Sequence, residues 1–228
     1  LAAPVITIDG PSGAGKGTVA QRVAEALGFA LLDSGALYRL VGLLALRRGL
    51  DAGRSQDLDA AVTASRNLDL IFEPDTGAGQ RVWLDGEDVT DAIRTDAVSG
   101  AASQWAVQPS IRQALLARQR DFAVPPGLIA DGRDMGTVIF PEADLKLYVT
   151  ATARERADRR FAQLSGMRVD ANLGRIYREI LERDARDASR EVAPLKPADD
   201  AHVIDTTGES VAASLARVRR LVREKGWI

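Results

Sequence analysis

The sequence contains no cysteine and a single histidine, His202, among its 228 residues. The lack of cysteine excludes a disulfide framework and a thiolate metal site. One histidine leaves almost nothing from which to build a serine–histidine triad or a histidine zinc site. No run reaches the ~18 apolar residues that a membrane helix needs, and the first residues do not form a secretory signal. We therefore expect a cytoplasmic protein that does not enter a membrane.

The chain also lacks a large excess of charge of either sign, since 30 basic and 32 acidic residues give a formal net charge of −2. Without a basic field, nucleic acid is not an expected partner. The cationic residues are nevertheless unevenly placed, because ten arginines fall between Arg154 and Arg190. A content of 46% hydrophobic and 27% charged residues is typical of a globular domain with a core. We expect a monomer.

Short apolar runs, of which residues 5–9 are also β-branched, alternate with helical patterns along most of the chain. The predicted core strands cover residues 5–9, 29–32, 128–131, 145–150 and 202–205. The predicted helices cover residues 18–27, 36–48, 58–66, 96–106, 110–123, 152–164, 172–189 and 210–224. Two further strand patterns, 68–73 and 81–85, flank a turn cluster at 74–79. The order predicts an α/β fold with a parallel sheet covered by helices on both faces and a small inserted antiparallel sheet.

Ligands of such sheets bind at the carboxyl ends of the strands. Four aspartates stand at such ends: Asp9, Asp33, Asp131 and Asp205. Asp33 and Asp131 are candidate outer-shell acceptors for a magnesium ion, although either could equally cap a turn. Ser34 is a candidate N-cap of the helix that follows it and a candidate phosphate contact.

The strongest motif is a glycine-rich loop that follows a strand and opens a helix. It comprises Gly10, Pro11, Ser12, Gly13, Ala14, Gly15, Lys16, Gly17 and Thr18. Glycines allow successive backbone N–H groups to surround a phosphate, and the helix N-terminus adds its partial positive charge. Lys16 supplies a full charge for the transferring phosphoryl group. The context therefore predicts binding of a nucleoside triphosphate rather than an empty glycine turn.

Thr18 is the candidate hydroxyl ligand of Mg²⁺. In the general pattern that hydroxyl directly follows the lysine, whereas Gly17 intervenes here. The loop alone does not decide the reaction, because kinases, GTPases and motor ATPases all use it.

Four further stretches narrow the class. They are residues 32–39 (LDSGALYR), 98–103 (VSGAAS) with Arg112, 131–137 (DGRDMGT), and 183–190 (RDARDASR) leading to Ala193-Pro194-Leu195. Together with the Lys16-Gly17-Thr18 ending of the loop, they closely resemble the bacterial cytidylate kinases, a branch of the nucleoside monophosphate kinases. The likeness runs from about residue 4 to the final helix.

The resemblance implies one P-loop kinase domain over residues 1–228. Its expected parts are a core at 1–36, 101–153 and 191–228, a monophosphate-binding insertion at 37–100, and a short helical lid with arginine-rich helices at 154–190. The implied reaction is ATP + CMP ⇌ ADP + CDP, with dCMP as a second acceptor and Mg²⁺ as the metal ion. No general base is needed, because the attacking phosphate oxygen is already anionic, so catalysis is positioning and charge neutralisation.

The resemblance also implies residue roles. Arg39 and Arg133 hold the monophosphate, with Ser34 beside them, while Lys16, Arg133 and Arg190 act on the transferring group. Asp134, Ser103 and Arg112 read cytosine, since a carboxylate can accept from the exocyclic amine that uracil lacks. Arg183 and Asp187 meet the ribose.

The arginines permit two interpretations. The spacing of Arg183, Arg186 and Arg190 predicts one helical face, and four arginines stand on the preceding helix: Arg154, Arg156, Arg159 and Arg160. The first interpretation is a cationic lid that closes over the phosphates, with Arg159 binding ATP. The second is a solvated helix face laced with acidic residues, which charge runs usually form.

Three other functions stay open at this point. The chain could phosphorylate another small acceptor, such as uridylate or shikimate. It could be a nucleotide-binding module without transfer chemistry, although candidate arginines for a second phosphate site argue against this. It could be a nucleic-acid-associated ATPase, which the net charge of −2 disfavours.

Overall fold

A computed structural model describes residues 3–75, 79–166 and 171–227. Part of the predicted turn cluster, residues 76–78, lies outside the described residues. The chain forms two compact units, the first from Leu1–Leu32 and Phe122–Ile228 and the second from Asp33–Asp121.

The first unit is built on a five-stranded sheet. Its strands are β1 (Val5–Asp9), β2 (Ala30–Asp33), β6 (Leu128–Gly132), β7 (Leu145–Thr150) and β8 (His202–Asp205), in the spatial order β2-β6-β1-β7-β8. The pairs β1–β6, β1–β7 and β7–β8 are parallel. Helices α1 (Lys16–Leu27), α6 (Ala153–Gly166), α7 (Leu173–Ala188) and α8 (Val211–Glu224) accompany the sheet. The predicted parallel sheet flanked by helices is therefore confirmed.

The core of the first unit lies between this sheet and helices α1 and α8. The central strand β1 is buried along its whole length, as its β-branched run predicts. The cluster of buried side chains on this core is Ile6, Ile8, Ala14, Val19, Ala20, Val23, Ala24, Ile129, Leu145, Leu147, Val149, Ile204, Val218 and Val222. Ala14, a residue of the glycine-rich loop, belongs to this cluster, so the loop packs directly against the core.

Within residues 33–75 and 79–121, the second unit combines four α-helices with a small sheet. The helices are α2 (Ser34–Arg48), α3 (Ser55–Arg66), α4 (Asp96–Trp105) and α5 (Pro109–Arg120). The strands β3 (Leu70–Asp75), β4 (Gly79–Leu84) and β5 (Glu87–Asp88) pair antiparallel, so the predicted inserted sheet is confirmed. The Arg47 guanidinium ties α2 to β5 by a two-bonded ion pair with Glu87, at 2.8 and 2.7 Å.

Helix ends follow the glycine signals in the sequence. Gly28 and Gly49 end α1 and α2 in the left-handed conformation, with φ of 66° and 64°, which glycine adopts without strain. The predicted starts of these two helices, residues 18 and 36, were each two residues too late, since α1 begins at Lys16 and α2 at Ser34. Helices α4 and α5 belong to the compact unit that ends at Asp121. The division into a monophosphate-binding insertion at 37–100 and a core stays a functional prediction.

Two helical glycines of the second unit differ in what surrounds them. A Cβ atom on Gly42, in α2, would lie 2.7 Å from the Ala102 backbone nitrogen of α4, whereas a Cβ on Gly100 would meet nothing within 4 Å. We expect Gly100→Ala to stabilise the protein by about 1 kcal/mol through helix propensity. Gly42→Ala should lower the free energy of unfolding by roughly 1–3 kcal/mol, because the two helices would be forced apart. Urea unfolding of both variants measures this, and equal stabilisation by both would contradict the close helix approach.

Candidate functional site

The glycine-rich loop joins β1 to α1 with a backbone that requires glycine. Gly10, Gly13 and Gly15 have φ of 143°, 79° and 91°, values that other residues rarely adopt. A Cβ on Gly10 would lie 1.9 Å from the Val149 carbonyl oxygen of β7, so the loop can leave the sheet here only without a side chain. Gly15 is the N-cap of α1 and makes no side-chain capping bond. The first-turn N–H groups of α1 are thus presented in the manner of an anion site.

Lys16 is the first residue of α1, and its side chain is buried at 6% exposure. Its Nζ donates to the Pro11 carbonyl oxygen at 2.8 Å, so the lysine spans the loop. Burial, followed by the neighbouring Arg133 guanidinium, lowers the pKa of Lys16, while Asp131 and Asp9 act in the opposite direction. An anionic group beside Lys16 would restore the preference for the charged ammonium.

The backbone N–H groups and side-chain oxygen atoms around this loop fit a triphosphate and its magnesium ion. The glycines and the uncapped helix start fit the phosphates. Thr18 is exposed, and an Asp131 carboxylate oxygen lies 3.7 Å from where a Cβ of Gly17 would be, so a hydroxyl and a carboxylate flank the start of α1. These are the hard oxygen donors that Mg²⁺ prefers. Residues 3–75, 79–166 and 171–227 contain no cluster of three or more metal-ligating side chains, so the phosphates and water would complete the coordination.

Two arginines from different elements meet at one carboxylate, that of Asp187 near the end of α7. The Arg133 Nε donates to Asp187 at 3.2 Å, and Arg190 donates to the other oxygen of the same carboxylate. Asp187 is only 2% exposed. The structure thus brings together Arg133, Asp187 and Arg190, three of the predicted substrate-binding residues. It also corrects the predicted helical face, since α7 ends at Ala188 and Arg190 lies beyond it.

Asp9, which the sequence left without a role, organises the segment that carries Arg133 and Asp134. Its carboxylate accepts from the backbone N–H groups of Met135 and Gly136, each at 2.8 Å. These residues begin a π-helical turn, Met135–Ile139, and Asp134 just before it is 2% exposed. Burial raises the pKa of Asp9 to about 7, although the two N–H bonds act in the opposite direction. The position of Asp9 directly before the glycine-rich loop indicated that it lies near the site. Its hydrogen-bond partners could not be predicted, because they lie more than 120 residues away along the chain.

The predicted lid arginines divide into different environments. Arg156 is buried at 3% exposure, and one of its nitrogens donates to the Ser12 carbonyl oxygen of the glycine loop at 3.1 Å. For Arg156 the interpretation as part of a solvated helix face was therefore wrong, while a lid that closes over the phosphates stays a prediction. Arg159 donates to Glu155 at 2.9 Å and to the Thr206 hydroxyl at 3.0 Å. The one proton of the Thr206 hydroxyl is shared between the carbonyl oxygens of Ala14 and Thr150, each at 3.1 Å, so Arg159 is two contacts from the loop.

In the second unit, the start of α2 carries two predicted phosphate contacts. Asp33, not Ser34, is the N-cap of α2, because its carboxylate accepts from the Ala36 backbone N–H at 3.1 Å. The suggestion that Ser34 caps this helix was wrong. The Arg39 guanidinium pairs with the other Asp33 oxygen at 2.5 Å, so Arg39 is held beside the first turn of α2.

The predicted cytosine readers of the second unit lie on α4 and α5. Ser103 and Arg112 are 5% and 7% exposed. Arg112 donates to the Ala106 carbonyl oxygen at 3.1 Å, and its guanidinium carbon lies 5.5 Å from the centre of the Tyr38 ring. This cation–π geometry and the carbonyl bond hold the charged head of Arg112 in place.

The raised pKa of Asp9 predicts a pH dependence of stability. Between its ordinary value of 3.8 and about 7, the folded protein holds a proton that the unfolded chain has released. The contribution of Asp9 to the free energy of unfolding is therefore greatest below the unfolded pKa and falls as pH rises towards the folded one, by at most about 1.4 kcal/mol per unit. We expect urea unfolding from pH 5 to 8 to show that the free energy of unfolding of the wild type falls relative to that of Asp9→Asn as the pH rises to about 7. Parallel pH profiles would contradict it.

Comparisons with known proteins identify the family of the chain. The family described as cytidylate kinase matches residues 6–224. The chain is 51% identical over 227 residues to the cytidylate kinase of Pseudomonas aeruginosa strain LESB58, covering 99% of this chain and 98% of that protein. It is 51% identical over 223 residues to the cytidylate kinase of Shewanella loihica, covering 98% and 96%. A crystal structure of an uncharacterised protein from Eubacterium ventriosum shares the fold, with a TM-score of 0.52 at 12% identity over 97% and 98% of the two chains. The chain belongs to the cytidylate kinase family.

Proposed function

We propose that this protein transfers the γ-phosphoryl group of ATP to CMP, giving ADP and CDP, and that it also accepts dCMP. The observation that carries the proposal is the 51% identity to cytidylate kinases over 99% of the chain. Membership of this family makes the protein a nucleoside monophosphate kinase, for which ATP is the expected donor and Mg²⁺ the expected metal ion. Cytoplasmic location and a monomeric state stay predictions; within the described ranges, no helix is long and apolar enough to cross a membrane.

The donor half of the reaction is assigned to the glycine-rich loop. Its N–H groups and the start of α1 would surround the β- and γ-phosphates, and Lys16 would follow the transferring group. A bound Mg²⁺ would neutralise charge on the phosphate oxygens, with Thr18 and Asp131 as the nearby oxygen donors. Arg159 would contribute to the donor side from its position beside Thr206.

The acceptor half is assigned to arginines whose charge is already balanced by a carboxylate. Arg133 would bind the monophosphate and Arg190 the transferring group, because guanidinium forks onto two oxygens and stays protonated. Asp187 positions both guanidinium groups, and in the proposal it also meets the ribose with Arg183. No general base is assigned, since the attacking phosphate oxygen carries its own charge.

Base choice is assigned to buried polar side chains. Asp134 would accept from the cytosine amine, and Ser103 and Arg112 are the further predicted readers. A buried carboxylate facing the carbonyl of uracil would be left without a donor, which disfavours uridylate. Ser34 and Arg39 are proposed contacts of the acceptor phosphate.

An acceptor panel tests the reaction and the base choice together. With ATP and Mg²⁺ we expect ADP formation with CMP and dCMP, and a value of kcat/KM for CMP at least about 10²-fold above that for UMP. AMP and shikimate should give no turnover above background. Equal turnover of UMP and CMP would remove the assigned role of Asp134, and ATP binding without turnover of any acceptor would contradict the proposed function.

Lys16 can be tested against a matched buried lysine. Lys146 is 8% exposed and pairs with Asp200 at 2.9 Å. We expect Lys16→Met to lower kcat by roughly 10²–10³-fold while the KM for CMP changes by less than about threefold, because Lys16 acts on the donor. Lys146→Met, which also keeps the apolar stem, should leave kcat within about twofold. Similar losses in both variants would show that Lys16 acts only through folding.

A further inference from the structure

Arg156 joins three separate segments of the first unit. Its Nε donates to the Ala151 carbonyl oxygen at 3.0 Å, at the junction of β7 and α6. One terminal nitrogen donates both to the Ser12 carbonyl oxygen at 3.1 Å and to an Asp184 oxygen at 3.0 Å. The other terminal nitrogen donates to the second Asp184 oxygen. This buried side chain therefore connects the glycine loop, the junction of β7 and α6, and the C-terminal part of α7.

The bond to Ser12 constrains how the loop presents its backbone. In a planar trans peptide the C=O and the following N–H point in opposite directions. Holding the Ser12 carbonyl against Arg156 therefore turns the Gly13 N–H away from Arg156. A Cβ on Gly13 would lie 3.3 Å from the Arg156 Cβ, so the loop packs directly on this side chain. The inward N–H groups of such loops are the groups that bind phosphate.

Asp184 fixes the guanidinium from the other side. Both of its oxygens accept from Arg156, in the fork geometry that is stronger and more directional than a single bond. Asp184 lies on α7 beside Arg183 and one turn before Asp187, both of which are assigned to the acceptor. Arg156 is thus the point at which α7 is bonded to the donor loop.

We propose that Arg156 and Asp184 form a positioning pair that sets the Ser12–Gly13 peptide for binding the donor phosphates and couples this peptide to α7. The proposal rests on the proposed function for the identity of the donor as ATP. Neither residue is assigned a contact with a nucleotide, so both act through the loop.

The direction in which one substitution changes the affinity for ATP distinguishes this proposal from a purely electrostatic effect. Asp184→Asn removes a negative charge near an anionic ligand, which by Coulomb attraction alone would strengthen ATP binding. Loss of positioning does the opposite, because Arg156 is no longer held and the Gly13 N–H is no longer oriented. We expect Asp184→Asn to weaken binding of ATP, measured by titration calorimetry with Mg²⁺ and no acceptor, by about tenfold, a typical size for coupling between linked groups.

The matched control is Asp158→Asn on α6. Asp158 pairs with Arg154 on the helix surface, where the two side chains are 47% and 69% exposed, so the same charge is removed without touching the loop. Its affinity for ATP should stay within about twofold of wild type. Arg156→Lys, which keeps the charge but loses the fork, should weaken ATP binding in the same direction. Combining it with Asp184→Asn should cost little more than either change alone, since both break one connection.

Amide NMR adds a readout that a purely structural role would not move. The Gly13 N–H resonance should shift in Asp184→Asn but not in Asp158→Asn, at a temperature well below unfolding. Unchanged or tighter ATP binding by both Asp184→Asn and Arg156→Lys would overturn the positioning pair. Wild-type protein that binds ATP but does not phosphorylate CMP would instead overturn the proposed function alone, and wild-type protein that binds no ATP would overturn both.

Discussion

Carboxylates on one helix neutralise the arginines on which the candidate chemistry depends. Asp184 and Asp187, three residues apart on α7, accept from Arg156, Arg133 and Arg190. A buried charge without a partner costs several kcal/mol, and loss of one partner of a buried pair is correspondingly destabilising. Helix α7 therefore does more than carry candidate substrate contacts. It supplies the negative charge that allows guanidinium groups to be buried beside a phosphate-binding loop.

Side chains hold the glycine-rich loop through hydrogen bonds to its backbone carbonyl oxygens. Arg156 holds the Ser12 carbonyl, Lys16 holds the Pro11 carbonyl, and the Thr206 hydroxyl holds the Ala14 carbonyl. In each case a side chain takes a carbonyl oxygen, and none of these bonds uses a loop N–H group. The division is functional, because an anion needs the donors and the protein can supply partners for the acceptors.

Much of the fold could be predicted from local signals. The short apolar runs located every core strand to within about one residue, and β7 and β8 were predicted with the bounds that the structure shows. Gly28 and Gly49 marked helix ends because a left-handed residue is needed there. These signals act over a few residues, so the sequence displays them directly.

The roles of individual charged residues were harder to predict. An arginine three or four residues from an acid on a helix suggests a solvated pair, and Arg154 with Asp158 is such a pair. Two positions along the same helix, Arg156 is buried, because its partners are a loop carbonyl 144 residues away and a carboxylate 28 residues away. Spacing carries no information about partners at that separation.

The strand-end aspartates show the same division between location and role. Sequence order placed Asp9, Asp33 and Asp131 where α/β sheets bind ligands. The structure gives each a different environment: Asp9 anchors the Met135 turn, Asp33 caps α2 and pairs with Arg39, and Asp131 lies near Gly17 at the start of α1. A topological rule identifies the edge where chemistry concentrates, but the hydrogen-bond partners decide what each carboxylate does there.

Balanced arginines can still bind a phosphate. A guanidinium group has five N–H donors. Arg133 uses its Nε for Asp187 and one terminal nitrogen for the Gly132 carbonyl at 3.2 Å, which leaves N–H donors for an anion. An incoming phosphate therefore need not displace Asp187. The carboxylate can hold the orientation of the guanidinium before and during binding, so less side-chain entropy is lost when the acceptor arrives. Charge neutralisation in the fold and preorganisation for the reaction are then the same interaction.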